Sequence, residues 1–117
     1  MNELVTRPKL VDKVWGMEEI FANNDKYCGK LLHIHGGYRC SIHYHREKDE
    51  TFYVLKGMIK MEALNQDFLM YAGDSIRIHK GVKHRFTGIE ASTIIEVSTT
   101  DKPEDSYRET QSERVSE

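Results

Sequence analysis

Apolar and polar residues alternate with a period of two along most of this chain, in short runs divided by glycine or by clusters of small polar side chains, and that rhythm predicts strands. Tyr27 to His35 puts Lys30, Leu32 and Ile34 on one face and Leu31, His33 and His35 on the other, until Gly36-Gly37 ends the run. Arg39 to His45 reads as the next strand, with Arg39, Ser41, His43 and His45 inward and Cys40, Ile42 and Tyr44 on the back. Arg46-Glu47-Lys48-Asp49 is a polar turn, and Glu50 opens a strand whose inner face carries Glu50, Phe52 and Val54. Met58 to Leu64, Asn65-Gln66-Asp67 and Phe68 to Tyr71 form a hairpin leading to Gly73. Ser75 to His79, the Lys80-Gly81 turn, His84 to Thr87 and the β-branched stretch within Ala91 to Ser98 continue the pattern.

The ends read differently. Residues 1–13 suit an arm or edge strand, with Leu10 to Val14 extended, and Val14 to Phe21 is compatible with a strand carrying Trp15 as a core or interface anchor. Residues 101–117 are polar and charged, which predicts a loop followed by a frayed tail. About eight to ten short strands without a long helix predict an all-β fold, closed or nearly closed into a barrel over residues 14–100.

A chain of 117 residues is one domain with enough buried surface for a core. A formal net charge of −2 with both signs interspersed argues against a nucleic-acid footprint or a membrane partner. Cys28 and Cys40 are the only cysteines, and with no secretory segment visible they predict reduced thiols in a cytoplasmic protein.

The chemistry concentrates in one hairpin. His43 and His45 are two apart, so both imidazoles leave a strand on the same side, and Glu50 faces them from the next strand. His84, after a second glycine-punctuated turn, is a fourth candidate. Three imidazoles and a carboxylate suit a divalent first-row metal (Zn, Mn, Fe or Ni) better than calcium or magnesium. His33 and His35 have the same spacing, but no carboxylate lies five residues beyond them, and they are expected to stay solvent-facing. Glu96 interrupts the Thr93 to Val97 run, where a carboxylate is costly unless paired or near a cation, so it is expected either in the polar cavity or at a strand end.

Glycine, five residues, His-x-His, four residues, Glu, six residues, glycine resembles the first cupin motif, met at Gly37, His43, His45, Glu50 and Gly57. Gly73, Gly81 and His84 resemble the second, with His79 standing for its proline and Gly88 for its asparagine. The resemblance implies a double-stranded β-helix, or jelly-roll barrel, with metal held by His43, His45, Glu50 and His84. Val14-Trp15-Gly16 with Glu19, His84-Arg85-Phe86, and Glu96-Val97 followed by Asp105 and Arg108 further resemble the cupin domain of type II phosphomannose isomerases and small sugar isomerases, a branch that carries glutamine in place of His43. That likeness implies aldose–ketose isomerisation through a metal-stabilised enediolate on a sugar or sugar phosphate. Glu96 is then the first candidate base and Lys30 the second, with Arg85 or Arg108 orienting hydroxyls or a phosphate. The alternatives are a non-heme iron dioxygenase and a non-catalytic metal- or sugar-binding barrel. Small cupins commonly pair, and the back-face residues Ile42, Tyr44, Tyr53 and Leu55 predict a homodimer.

Overall fold

A computed structural model describes residues 4–115; the outermost residues of the expected arm and tail, 1–3 and 116–117, lie outside the described residues. Among the described residues thirteen strands form two sheets in which every pairing is antiparallel. The larger sheet contains β1 (Lys9–Lys13), β2 (Gly16–Asn23), β3 (Cys28–Ile34), β6 (Glu50–Lys56), β9 (Ser75–Ile78) and β11 (Ser92–Ser98), in the order β1-β2-β3-β11-β6-β9. The smaller is centred on β10 (His84–Gly88). One side of β10 pairs with β7 (Met58–Ala63), which pairs with β8 (Gln66–Tyr71); the other pairs with the short strands β4 (Tyr38–Arg39) and β5 (His43–His45). Two sheets closed over a common core make the expected all-β barrel.

Alternation along the strands explains the core. β6 buries Glu50, Phe52 and Val54 while Tyr53 and Leu55 face out, and β7 buries Ile59, Met61 and Ala63. Val54, Ile59, Met61 and Ile94 are fully shielded, each such side chain contributing about 1.5–3 kcal/mol relative to exposure. Trp15 sits in the two-residue turn between β1 and β2, where Lys13 pairs with Gly16. It is buried edge-on against Phe86, ring centroids 5.0 Å apart, and so serves as the expected core anchor.

The four motif glycines Gly37, Gly57, Gly73 and Gly81 all have positive φ. At Gly57, between β6 and β7, φ is 94° and an added Cβ would meet Ala91 O at 2.6 Å as well as the Ser92 hydroxyl, so only glycine fits. Gly81 turns the chain at φ 79° and donates its N–H to His45 O at 2.7 Å, tying the loop before His84 to the strand of His43 and His45.

Within residues 101–115 the chain forms regular structure where a loop and a frayed tail were expected. Pro103–Asp105 makes a single 3-10 turn, β12 (Ser106–Arg108) pairs with β5, and β13 (Glu113–Arg114) pairs with β4. The segment docks through backbone pairing and buried polar contacts rather than an apolar stripe, so hydrophobic patterning gives no sign of it. It also changes the expected back face: Tyr44 stacks on Tyr107 at 5.2 Å, and the Ile42 N–H bonds the Thr110 hydroxyl at 2.8 Å. Among the described residues no helix is long and apolar enough to cross a membrane.

Candidate metal centre

β5 presents His43 and His45 on its inner face, and the antiparallel ladder sets His84, the first residue of β10, directly opposite His43. Glu50, the first residue of β6, reaches them from the other sheet across the 46–49 loop. Ligand nitrogens of the three histidines lie within 4.8 Å of one another. Glu50 Oε2 is 3.4 Å from His45 Nε2 and 3.2 Å from His84 Nε2, and Glu50, His45 and His84 are buried.

Each imidazole is oriented by a backbone carbonyl. His43 Nδ1 lies 2.8 Å from Ser41 O, His84 Nδ1 2.9 Å from Val82 O, and His45 Nδ1 3.1 Å from Asp105 O. A carbonyl only accepts, so each Nδ1 carries the proton and each Nε2 turns a lone pair toward the others. Burial, with His84 close by, holds the His43 pKa down at about 3, and burial followed by Lys48 lowers that of His45, so both are neutral at neutral pH. Burial works against the Glu50 charge, but the Lys48 ammonium 3.3 Å away helps to hold the carboxyl below its ordinary range. Nε2 lone pairs thus face an ionised carboxylate in a buried pocket, and Glu50 Oε2 and His84 Nε2 have no hydrogen-bond partner. Acceptors that converge without a donor favour a bound cation, and this set of side chains could hold a divalent transition metal.

Beside the centre lies a cavity of about 420 Å³. Its lining includes the apolar Trp15, Leu32, Phe52 and Phe86 and the charged Lys30, Lys48, Glu96 and Asp101. Lys48 Nζ is 3.3 Å from Glu50 Oε1, 3.1 Å from Glu96 Oε2 and 3.0 Å from Asp101 Oδ1. Lys30 Nζ extends the chain of charges, 3.1 Å from Asp101 Oδ2 and 3.4 Å from Glu18 Oε2. Burial raises the Glu96 pKa, reinforced by Glu50 and opposed by Lys48 and Lys30. Lys30 is also raised, because Glu96, Glu18 and Asp101 together overcome burial, and it stays a cation.

His43, His45, Glu50 and His84 therefore come together, and Glu96 and Lys30 line the adjoining cavity. Arg85 does not: it points from the outer face of β10, bonds Glu62 at 2.9 and 3.0 Å and lines a separate depression, whereas Arg108 lines the cavity. His33 bonds Glu19 at 2.9 Å on the outer surface, and His35 and His79 are exposed. Cys40 departs from its expected outward position. The strand breaks at residues 40–42, which resets the alternation, so Cys40 is buried beside the cavity. Its sulfur accepts the Phe86 N–H at 3.3 Å and burial pushes its thiol up to about 12, so it is a neutral wall rather than a ligand. Lys48 and Asp101, expected in a solvated turn and a tail, are the residues the sequence reading missed. For Lys48 the signal was available: it is two residues before Glu50, the spacing that shares a face in an extended segment.

An antiparallel barrel that brings three histidines together inside its mouth, with a glutamate beside them, has a place that could hold a metal ion. The chain belongs to the cupin family, matching the Cupin domain over residues 30–97. No curated protein matches it in sequence. Among solved structures it is similar to a protein from Planctomyces limnophilus (23% identity, TM-score 0.76, 92% of this chain and 96% of that one). It is also similar to KdgF from Halomonas sp. (17%, 0.75, 82% and 89%). A third is Pac13 of Streptomyces, a nucleoside dehydratase (10%, 0.78, 94% and 88%). At these identities the likeness is one of fold, which hosts many reactions.

Proposed function

We propose that this cupin is a metal-dependent isomerase of a sugar or sugar phosphate, moving a proton between adjacent carbons of an aldose and its ketose. The observation that carries the proposal is Glu96, a fully buried carboxyl with a raised pKa, in the wall of a charged cavity beside the His43, His45, Glu50 and His84 cluster. A carbon acid next to a carbonyl is weak, and the metal, when bound, supplies the positive charge that polarises that carbonyl. Glu96 takes the proton from one carbon and returns it to the next, its pKa moved by burial toward the range where a carboxylate is an effective base. Lys48 and Lys30, both held as cations, keep Glu96 ionised in a site that would otherwise protonate it. Arg108, on the face of β12 that it shares with neighbouring His43, orients hydroxyls or a phosphate at the cavity wall. The same proposal places the protein in the cytoplasm, supported by two free, buried thiols. It also makes the protein a homodimer, supported by Tyr53, Leu55 and Val97, which stay 41%, 50% and 53% exposed on the outer face of the larger sheet.

Elemental analysis for bound metal, followed by anaerobic incubation with aldoses, ketoses and their phosphates read by NMR, tests it. Interconversion without oxygen is expected, lost in Glu96→Gln with metal retained. Iron with oxygen uptake and no sugar turnover would replace it with the dioxygenase alternative, and metal without turnover of either kind with a binding barrel.

A further inference from the structure

We propose that Asp105 is a positioning residue of the metal centre, and that the segment from Pro103 to Arg108 is a clasp whose docking and metal binding are one linked equilibrium. The proposal rests on the assignment of a metal to His43, His45, Glu50 and His84. Asp105 is buried although the chain around it is polar, and both its backbone and its side chain are spent on the elements that carry ligands. Its carbonyl accepts the His45 Nδ1–H at 3.1 Å, which sets the tautomer and aims Nε2 inward. Its carboxylate accepts the N–H groups of the loop between His45 and Glu50: Oδ1 from Arg46 at 2.9 Å and Glu47 at 3.2 Å, Oδ2 from Glu47 at 3.2 Å and Lys48 at 3.1 Å. One residue thereby fixes the distance between two ligands that come from different sheets.

The rest of the segment runs along the same strand. Ser106, Tyr107 and Arg108 pair with His45, Tyr44 and His43, and the Glu109 N–H bonds Ile42 O at 2.8 Å. Opening the clasp strips β5 of its outer neighbour, frees the His45 ring and leaves three loop N–H groups without an acceptor. A metal that binds only the assembled centre must then hold the clasp shut, by the same factor that the clasp strengthens metal binding.

Co2+ is the probe, because its visible absorption reports coordination geometry as well as occupancy. Affinity is measured by chelator competition for the wild type, Asp105→Asn and Asp49→Asn, the last being a carboxylate of the same loop that pairs with Arg77 instead. Asp105→Asn keeps the size but turns an amide donor toward donors. It is expected to weaken Co2+ binding by roughly 10- to 100-fold and change the spectrum, the range for partners that orient ligands; Asp49→Asn should leave both unchanged. A general loss of stability would lower the melting temperature of Asp105→Asn without moving affinity or spectrum, and that result would overturn the proposal. Hydrogen exchange on the wild type is independent of any variant: amides of residues 46–48 and 104–108 should slow when Co2+ is added. Equal exchange with and without bound Co2+ refutes the linkage even if Asp105→Asn does not fold. If the wild type takes up no Co2+, Mn2+ or Zn2+, the metal assignment itself fails, and the clasp with it.

Discussion

Lys48→Met is the most informative single perturbation of the buried charges. Lys48 is 4% exposed and its Nζ lies within 3.3 Å of carboxylate oxygens from Glu50, Glu96 and Asp101. Methionine keeps much of the volume and the flexible stem, so packing changes little and the charge is what is lost. Removing one partner of a buried ion pair typically costs about 3–5 kcal/mol, because the remaining charge is left uncompensated. Lys30 still neutralises part of Asp101, which keeps the expectation inside that range. At about 4 °C per kcal/mol for a domain of this size, the melting temperature should fall by about 12–20 °C in chelator-treated protein at pH 8. The pH dependence follows from Glu96, whose pKa in the folded state is already raised by burial and loses its main opposing cation in the variant. An acid with a raised folded pKa binds more protons folded than unfolded, so its penalty is present at high pH and relieved as pH falls through the folded pKa. The deficit of Lys48→Met should therefore shrink as pH falls from 8 into the acid range, and also when metal is supplied, since metal compensates Glu50. Thermal and urea unfolding along that series measure it. A variant within about 1 kcal/mol of wild type at pH 8, or a deficit that does not shrink as pH falls, would refute the electrostatic account.

His43→Ala, His45→Ala, Glu50→Ala and His84→Ala should each lose metal by elemental analysis while His33→Ala and His35→Ala retain it; retention by His84→Ala would break the four-ligand centre. Burial opposes the Asp101 charge, but Lys48 and Lys30 hold its carboxyl at about 2, below the ordinary 3.8. Its contribution to stability is thus present above pH 4 and lost as pH falls toward 2, so Asp101→Asn should lower stability at pH 7 and flatten the acid limb in that window. Gly57→Ala forces a side chain into φ 94° and against the Ala91 carbonyl, and should cost about 1–3 kcal/mol in urea unfolding.

What the sequence determined by itself was whatever depends on local period and spacing. Alternation grouped Lys30 with Leu32 and Ile34 in β3, and Glu50 with Phe52 and Val54 in β6, on the sides that are buried, and the two-residue step from His43 to His45 set both rings on one side. The motif glycines marked turns that only positive φ allows. The tertiary structure decided what depends on a break in that period or on partners distant in sequence. The interruption at residues 40–42 turned Cys40 inward, and the Glu62 carboxylate held Arg85 on the outer face of β10. Lys48 looked like a turn lysine because its burial is compensated by Glu96 and Asp101, about fifty residues away. Asp105 sat in a stretch with no apolar pattern, and its value lies in acceptors matched to N–H groups of residues 46–48, a complementarity that exists only once β12 lies beside β5.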